Sequence, residues 1–161
     1  PIAPRRLRIL AGGIFIGIIA SIIIVLINYK KEDLLYEFEE FNKYFNFKNL
    51  YNLDSIDPDS IRYSVALLNE GIFKEKEVES IGILPLLDLE SEFIKIFNKT
   101  LRKEVKSEKV ISTDNILELK GCSRIIILVR SGEVSNEKLN KVINNIKLLN
   151  LKIDGWLFCS C

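Results

Sequence analysis

The sequence predicts an α/β fold: one N-terminal transmembrane helix followed by one small parallel-sheet domain. Three observations predict it. Residues Ile9 to Ile27 form an uncharged apolar run. Ile125-Ile126-Ile127-Leu128-Val129 is an unbroken aliphatic stretch, the pattern of a strand buried on both faces of a parallel sheet. An amphipathic helical pattern then separates that run from a second short strand at Trp156–Cys159. Strand, helix and strand in so short a stretch make a βαβ unit with a right-handed crossover. The length, 161 residues, suits one folded domain. A composition 48% hydrophobic and 28% charged excludes an intrinsically disordered chain.

The segment 9–27 would span ~28 Å as a helix, close to the thickness of a bilayer core. It is apolar on every face, unlike a helix on the rim of a globular core. It exceeds the ~7–15 residues of a signal-peptide core, and Asn28-Tyr29-Lys30-Lys31 offers no small-residue cleavage site. Gly13, Gly17 and Ser21 recur every four residues and share one helix face. Small residues there let a second helix approach closely, so membrane lipid and a further copy of the chain are the expected partners. Arg5, Arg6 and Arg8 precede the span, and Lys30, Lys31, Lys43 and Lys48 follow it. With cations on both flanks, the charge rule leaves orientation open. The predicted segments are 1–8, a proline/arginine juxtamembrane stretch; 9–27, the span; 28–58, an amphipathic helix and linker; and 59–161, the α/β domain.

Within 31–47, Leu34, Phe38, Phe41 and Phe45 fall at helical spacing. Asn46 to Asp59 is rich in Asn and Asp and reads as linker, with Asp57-Pro58-Asp59 as turn and cap chemistry. Ser60 to Asn69 forms a short helix ending at Gly71. Lys74 to Glu79 is a solvated charged run. Ile81 to Leu84, closed by Pro85, is a strand. Glu92 to Val105 is a helix with Phe93, Phe97 and Leu101 on one side. Val110-Ile111 is a further strand, and Ile116 to Lys120 makes one or two helical turns stopped by Gly121. Ser131-Gly132 turns the chain, and Ser135 is an N-cap. Leu139, Val142, Ile143, Ile146 and Leu149 mark the apolar face of the last helix.

Chemistry is constrained by what is missing. With no histidine, Ser-His and Cys-His nucleophile activation and His-ligated metal are excluded. Three cysteines cannot close two disulfides. Cys122, Cys159 and Cys161 fall short of the four ligands of a closed zinc site, and as reduced thiols they favour a cytosolic domain. No glycine is followed by lysine, so there is no P-loop, and no G-x-G-x-x-G occurs. Beyond residue 31 the chain holds all 22 acidic groups and a net charge of −4, which argues against nucleic acid. No catalytic residue, cofactor or metal site is expected.

Several short motifs carry a resemblance. Pro1-Ile2-Ala3-Pro4, then basic residues and a glycine-containing span, resembles the proline-rich start of the second membrane helix in Wzz-type polysaccharide co-polymerases, the chain-length determinants of bacterial surface polysaccharides. In many of these the helix leads into a cytoplasmic tyrosine-autokinase domain of P-loop fold. Ile81-Gly82-Ile83-Leu84-Pro85 resembles the L-G-x-I-P strand of that domain. Glu92 to Leu101 resembles its E-x-x-R-x-x-R oligomerisation helix, with Glu92, Lys95 and Asn98 at the motif positions. Asp114 to Phe158 resembles its last helix–strand–helix–strand. The Walker motifs and the terminal tyrosine cluster are missing, and one motif arginine is Lys95 while the other is Asn98.

The resemblance implies a degenerate, kinase-like Rossmann-type domain without a P-loop. It further implies a place in the bacterial inner membrane with residues 28–161 in the cytoplasm, and a periplasmic part and first membrane helix upstream of Pro1. The function implied is non-catalytic: regulation of the length or export of capsule, exopolysaccharide or O-antigen through oligomerisation. A polysaccharide polymerase or a kinase would be the partner. Two other readings stay open on the residues alone: an accessory subunit of an ATP-dependent kinase supplied in trans, and a single-pass adaptor unrelated to polysaccharide.

Overall fold

The computed structural model describes residues 3–74, 78–105 and 109–160, with the side chains of 3–12 and 28–32 outside the description. It divides into two compact units, Pro1–Asp33 and Leu34–Cys161.

The first unit is α1 (Ala3–Glu32). Pro4 lies in its first turn, where a missing N–H breaks no helical bond, and Pro1 lies outside the described residues. The large hydrophobics from Ile14 to Ile27 are exposed. The expected membrane span is corrected here. Among the described residues, no helix is long and apolar enough to cross a membrane. The transmembrane helix of the predicted fold class and the single-pass inner-membrane location are therefore not supported.

The second unit is an α/β domain. Its elements are β1 (Leu34–Leu35), α2 (Phe38–Tyr44), β2 (Asn49–Leu53), α3 (Pro58–Leu68), β3 (Ser80–Pro85), α4 (Glu92–Glu104), β4 (Lys109–Ser112), β5 (Arg124–Arg130), β6 (Val134–Ser135), α5 (Asn136–Leu148) and β7 (Gly155–Cys159). A π-helical turn at Asn69–Phe73 extends α3, and a 3-10 turn at Ile116–Gly121 leads into β5. Five strands form one sheet in the order β2-β7-β5-β3-β4, and every pair in it is parallel. β1 and β6 make a separate antiparallel pair.

Alternation along β5 builds the two halves of the core. Ile126 and Leu128 face α3 and α4, where they meet Ile61, Val65, Phe93 and Phe97. Ile125, Ile127 and Val129 face α2, α5 and the 3-10 turn, against Phe41, Leu139, Ile143 and Leu119. All five are 3% exposed or less, so between Arg124 and Arg130 the strand carries no polar side chain on either face, as a central parallel strand must.

The helices start where their caps dictate. The Asp57 carboxylate accepts from Asp59 N and Ser60 N, with Pro58 in the first turn of α3. Ser91 caps α4 and Ser135 caps α5 through their hydroxyls.

Segment 31–58 differs from the expectation. α1 ends at Glu32, and Asp33 turns the chain at φ 30°. The amphipathic helix is only α2, and the expected linker contains β2, an edge strand on β7. Gly155 permits that pairing, because a Cβ there would lie 2.5 Å from both Leu50 Cγ and Lys48 O. The charged run at 74–79 falls partly outside the described residues.

Candidate functional site

β3 continues through α4 to β4 on one side of the sheet, and β5 continues through α5 to β7 on the other. The carboxyl ends of β3 and β5 therefore part company side by side. In doubly wound sheets such a switch point is where ligands bind, and it is the place to look for chemistry in this domain.

Three pieces of the protein's own chain occupy it. The loop after β3 folds back, with Leu86 N donating to Leu128 O at 2.8 Å and both Leu86 and Leu87 buried. Lys138, from the first turn of α5, reaches across so that its Nζ donates to Leu86 O at 2.9 Å. A strap formed by Leu34, Leu35 and Tyr36 lies over the loop after β5. Gly132 N donates to Leu35 O at 2.8 Å, Ser131 Oγ donates to Tyr36 O at 2.8 Å, and β1 pairs with β6.

The strap dictates residue types on both sides. Gly132 has φ +73°, and a Cβ on it would sit 2.9 Å from the Tyr36 ring. Glycine alone meets both demands. The Glu40 carboxylate accepts from Glu37 N at 3.1 Å and Tyr36 N at 2.9 Å. Those two amides hold its carboxyl below the usual carboxylate range, Glu37's contributing most.

The helix N-termini at this edge are equally self-contained. Ser91 Oγ accepts from Ile94 N, and Ser135 Oγ accepts from Lys138 N at 3.2 Å. In phosphate-binding folds such amides face the ligand. At the amino edge, Arg124 Nη1 donates to Asp154 Oδ1 at 2.5 Å while Ile125 N donates to Asp154 Oδ2 at 2.9 Å. That carboxylate is fully used in joining β5 to the turn before β7. Cys122, half-buried, has its thiol pushed up by burial, which Lys109 only partly offsets. It is not poised as a thiolate. Among the described residues no cluster of candidate metal ligands occurs.

The sequence-predicted residues lie elsewhere. Gly13 and Gly17 in α1 have nothing within 4 Å of a built Cβ. The Ser21 hydroxyl donates to Gly17 O at 2.9 Å, so it is spent within its own helix. In α4, Glu92 and Lys95 are exposed and Asn98 is half-buried. Asn98 Oδ1 is buried without a hydrogen-bond partner. Of all these only Glu92, beside the Ser91 cap, stands at the carboxyl edge.

Sequence reasoning missed Tyr36, Gly132 and Lys138 as the residues that fill the switch point. The Ser131-Gly132 turn and the Ser135 cap were visible signals, but nothing local to either announces a strap supplied from residues 34–36.

No family model, curated protein or solved structure matches this chain. The likeness to the co-polymerases accordingly rests on the chain's own short motifs.

Among the described residues, two of the surface hollows are lined as follows. One, of about 240 Å³, lies between α2 and α5 and includes Tyr44, Phe47, Lys147 and Asn150. The other, of about 360 Å³, lies between the 3-10 turn and α5. Both sit at or below the small end of the ~300–1,000 Å³ range of small-molecule sites.

Proposed function

We propose that this domain acts by protein contact rather than by catalysis. It serves as a non-catalytic component of bacterial surface-polysaccharide biosynthesis that regulates chain length or export through oligomerisation. One observation carries the non-catalytic part: the crevice where a doubly wound sheet takes its ligand is filled by Lys138, Leu86 and the strap. A phosphate there would have to displace a lysine already engaged with a buried carbonyl, and each serine cap already uses one amide of its helix N-terminus. The polysaccharide part is supported by the proline-led start, the Ile81–Pro85 strand and the Glu92 helix, all taken from the resemblance.

Calorimetric titration of the full chain with Mg-ATP tests the first part. No saturable heat is expected up to millimolar nucleotide, and a micromolar dissociation constant would overturn it. Trp156→Ala in the producing cell tests the second. It removes the largest side chain of the core, and a changed length distribution of the surface polysaccharide on a gel is expected. An unchanged distribution despite loss of the folded domain defeats the polysaccharide reading.

A further inference from the structure

The strap at Leu34–Tyr36 is an extended piece in a stretch of chain that is helical before and after it. α1 ends at Glu32 and α2 begins at Phe38. No glycine or proline lies between Gly17 and Pro58, so no residue of the interruption breaks a helix on its own account. The apolar period also runs straight through it. Leu34 stands four residues before Phe38 and seven before Phe41, in line with the stripe by which α2 packs on Trp156 and Phe158. The local sequence therefore specifies helix at 33–37, and the chain there does something else.

The bonds that hold the extended form come from far along the chain and are few. β1 pairs with β6, and each is two residues long. Gly132 N donates to Leu35 O and Ser131 Oγ donates to Tyr36 O, each at 2.8 Å. Leu35 is buried, while Tyr36 and Glu37 are exposed. Against these bonds stands a local cost. Asp33 takes φ 30°, a left-handed backbone that a residue with a Cβ adopts under strain. The amides of Tyr36 and Glu37 would bond to the carbonyls of residues 32 and 33 in a helix. They bond instead to the Glu40 carboxylate.

Two sets of hydrogen bonds thus compete for the same five residues. We propose that residues 33–37 have a second, helical conformation in which the strap lifts off the loop after β5, and that the strap is a conformational switch of this domain. In the change, the Tyr36 and Glu37 amides pass from the Glu40 carboxylate to the backbone one turn earlier. Asp33 leaves its left-handed backbone, and Leu34 joins the stripe of Phe38 and Phe41. The Gly132 amide and the Ser131 hydroxyl give up their acceptors in the strap. Lys138 keeps its bond to Leu86 O, so the loop after β5 is uncovered while the switch point stays filled. The extended form is the major one, since it buries Leu35. The inference goes beyond the function proposed above and does not rest on it.

The test uses the full chain in a neutral detergent that covers the exposed isoleucines of α1, followed by nuclear magnetic resonance. Asp33 is exposed, so replacing it disturbs no packing. Asp33→Gly accepts φ 30° and disfavours helix, whereas Asp33→Ala does the reverse. Both variants lose the same charge. Exchange of the Gly132 amide should be faster in Asp33→Ala than in Asp33→Gly by roughly thirtyfold, with the wild type between them. Saturation-transfer spectra of Asp33→Ala should show a minor state whose Cα shifts at Leu34, Leu35 and Tyr36 lie on the helical side of random coil. Unchanged shifts in β5 and β7 verify that both variants fold.

Equal exchange in the two variants, or faster exchange in Asp33→Gly, would overturn the proposal. So would a minor state with random-coil shifts, because the strap would then come away without becoming helix. An Asp33→Ala chain with no minor state at these residues would overturn it as well. None of these results bears on nucleotide binding or polysaccharide length, so failure of the switch is separable from failure of the proposed function.

Discussion

Trp156→Phe measures how firmly α2 is held to the sheet. Trp156 is fully buried. Its ring stacks on Phe38 at 5.2 Å between centroids and lies 5.0 Å from Phe45. Its Nε1 donates to Phe47 O at 3.2 Å. Phenylalanine keeps an aromatic face but removes the indole N–H, which leaves the Phe47 carbonyl without that donor and a void where the second ring stood. The lost hydrogen bond is worth about 1 kcal/mol and the void about 1–2 kcal/mol, so the variant should be less stable by about 2–3 kcal/mol. Domains of this size change by about 1–3 kcal/mol per molar urea, so the midpoint should fall by roughly 1–2 M. This is the chain's one tryptophan. Unfolding is therefore followed by far-ultraviolet circular dichroism in both proteins, not by fluorescence. Amide exchange should quicken first in α2 and its C-cap, where Phe38, Phe41 and Phe45 lose their common platform. A shift below about 0.5 kcal/mol, the range of ordinary surface substitutions, would refute the claim that this stack anchors α2.

Gly132→Val places a β-branched side chain at a positive φ and against the Tyr36 ring. The strain should loosen the strap, with exchange of the residue 132 amide faster by roughly ten- to a hundredfold; unchanged protection would mean the strap is held by other contacts. Asp57→Ala removes the α3 cap and should lower the melting temperature at neutral pH. In the wild type the hydroxyl of Ser55 contributes most to holding the Asp57 carboxyl below its ordinary value, with Ser60 next. The group's folded pKa therefore lies under its unfolded one. Its stabilisation is complete above the unfolded value of ~3.9 and is lost as pH falls through the folded value. The gap between wild type and variant should therefore narrow below about pH 4, and a gap that is constant through acid would contradict this.

The sheet was legible where hydrophobicity and secondary structure coincide. The Ile125–Val129 run, the α5 face with its Ser135 cap, and β7 all appear where their residues place them. β3, α4 and β4 agree within a residue or two. β2 was hidden because Asn49 and Asn52 dilute its apolar residues and because an edge strand needs only one good neighbour. β6 is two residues long and exists only because β1 pairs with it. The strap was invisible for the same reason: Leu34 reads as part of a helical stripe whose expected helix also encloses Leu35 and Tyr36, and only the hydrogen bonds of Leu35 and Tyr36 to a loop about 95 residues later show otherwise. The apolar run of α1 was plain in the sequence. Among the described residues it does not make a helix long and apolar enough to cross a membrane. The hollow between the 3-10 turn and α5, beside Leu117 and Leu148, was beyond pattern reading altogether, since exposure of an isolated leucine is set by the fold and not by its neighbours in the chain.

β7 is synthesised long after β2, yet it sits between β2 and β5. Until the ribosome delivers Trp156, the backbone of Asn49–Leu53 has no strand to bond with, and Phe41 and Phe45 have no indole to rest on. Assembly of this domain must therefore wait for its final strand, with more than a hundred residues of nascent chain held incomplete beforehand. Such non-local pairing slows folding. It leaves a newly made copy exposed to chaperones and proteases for longer than a domain that closes from its beginning.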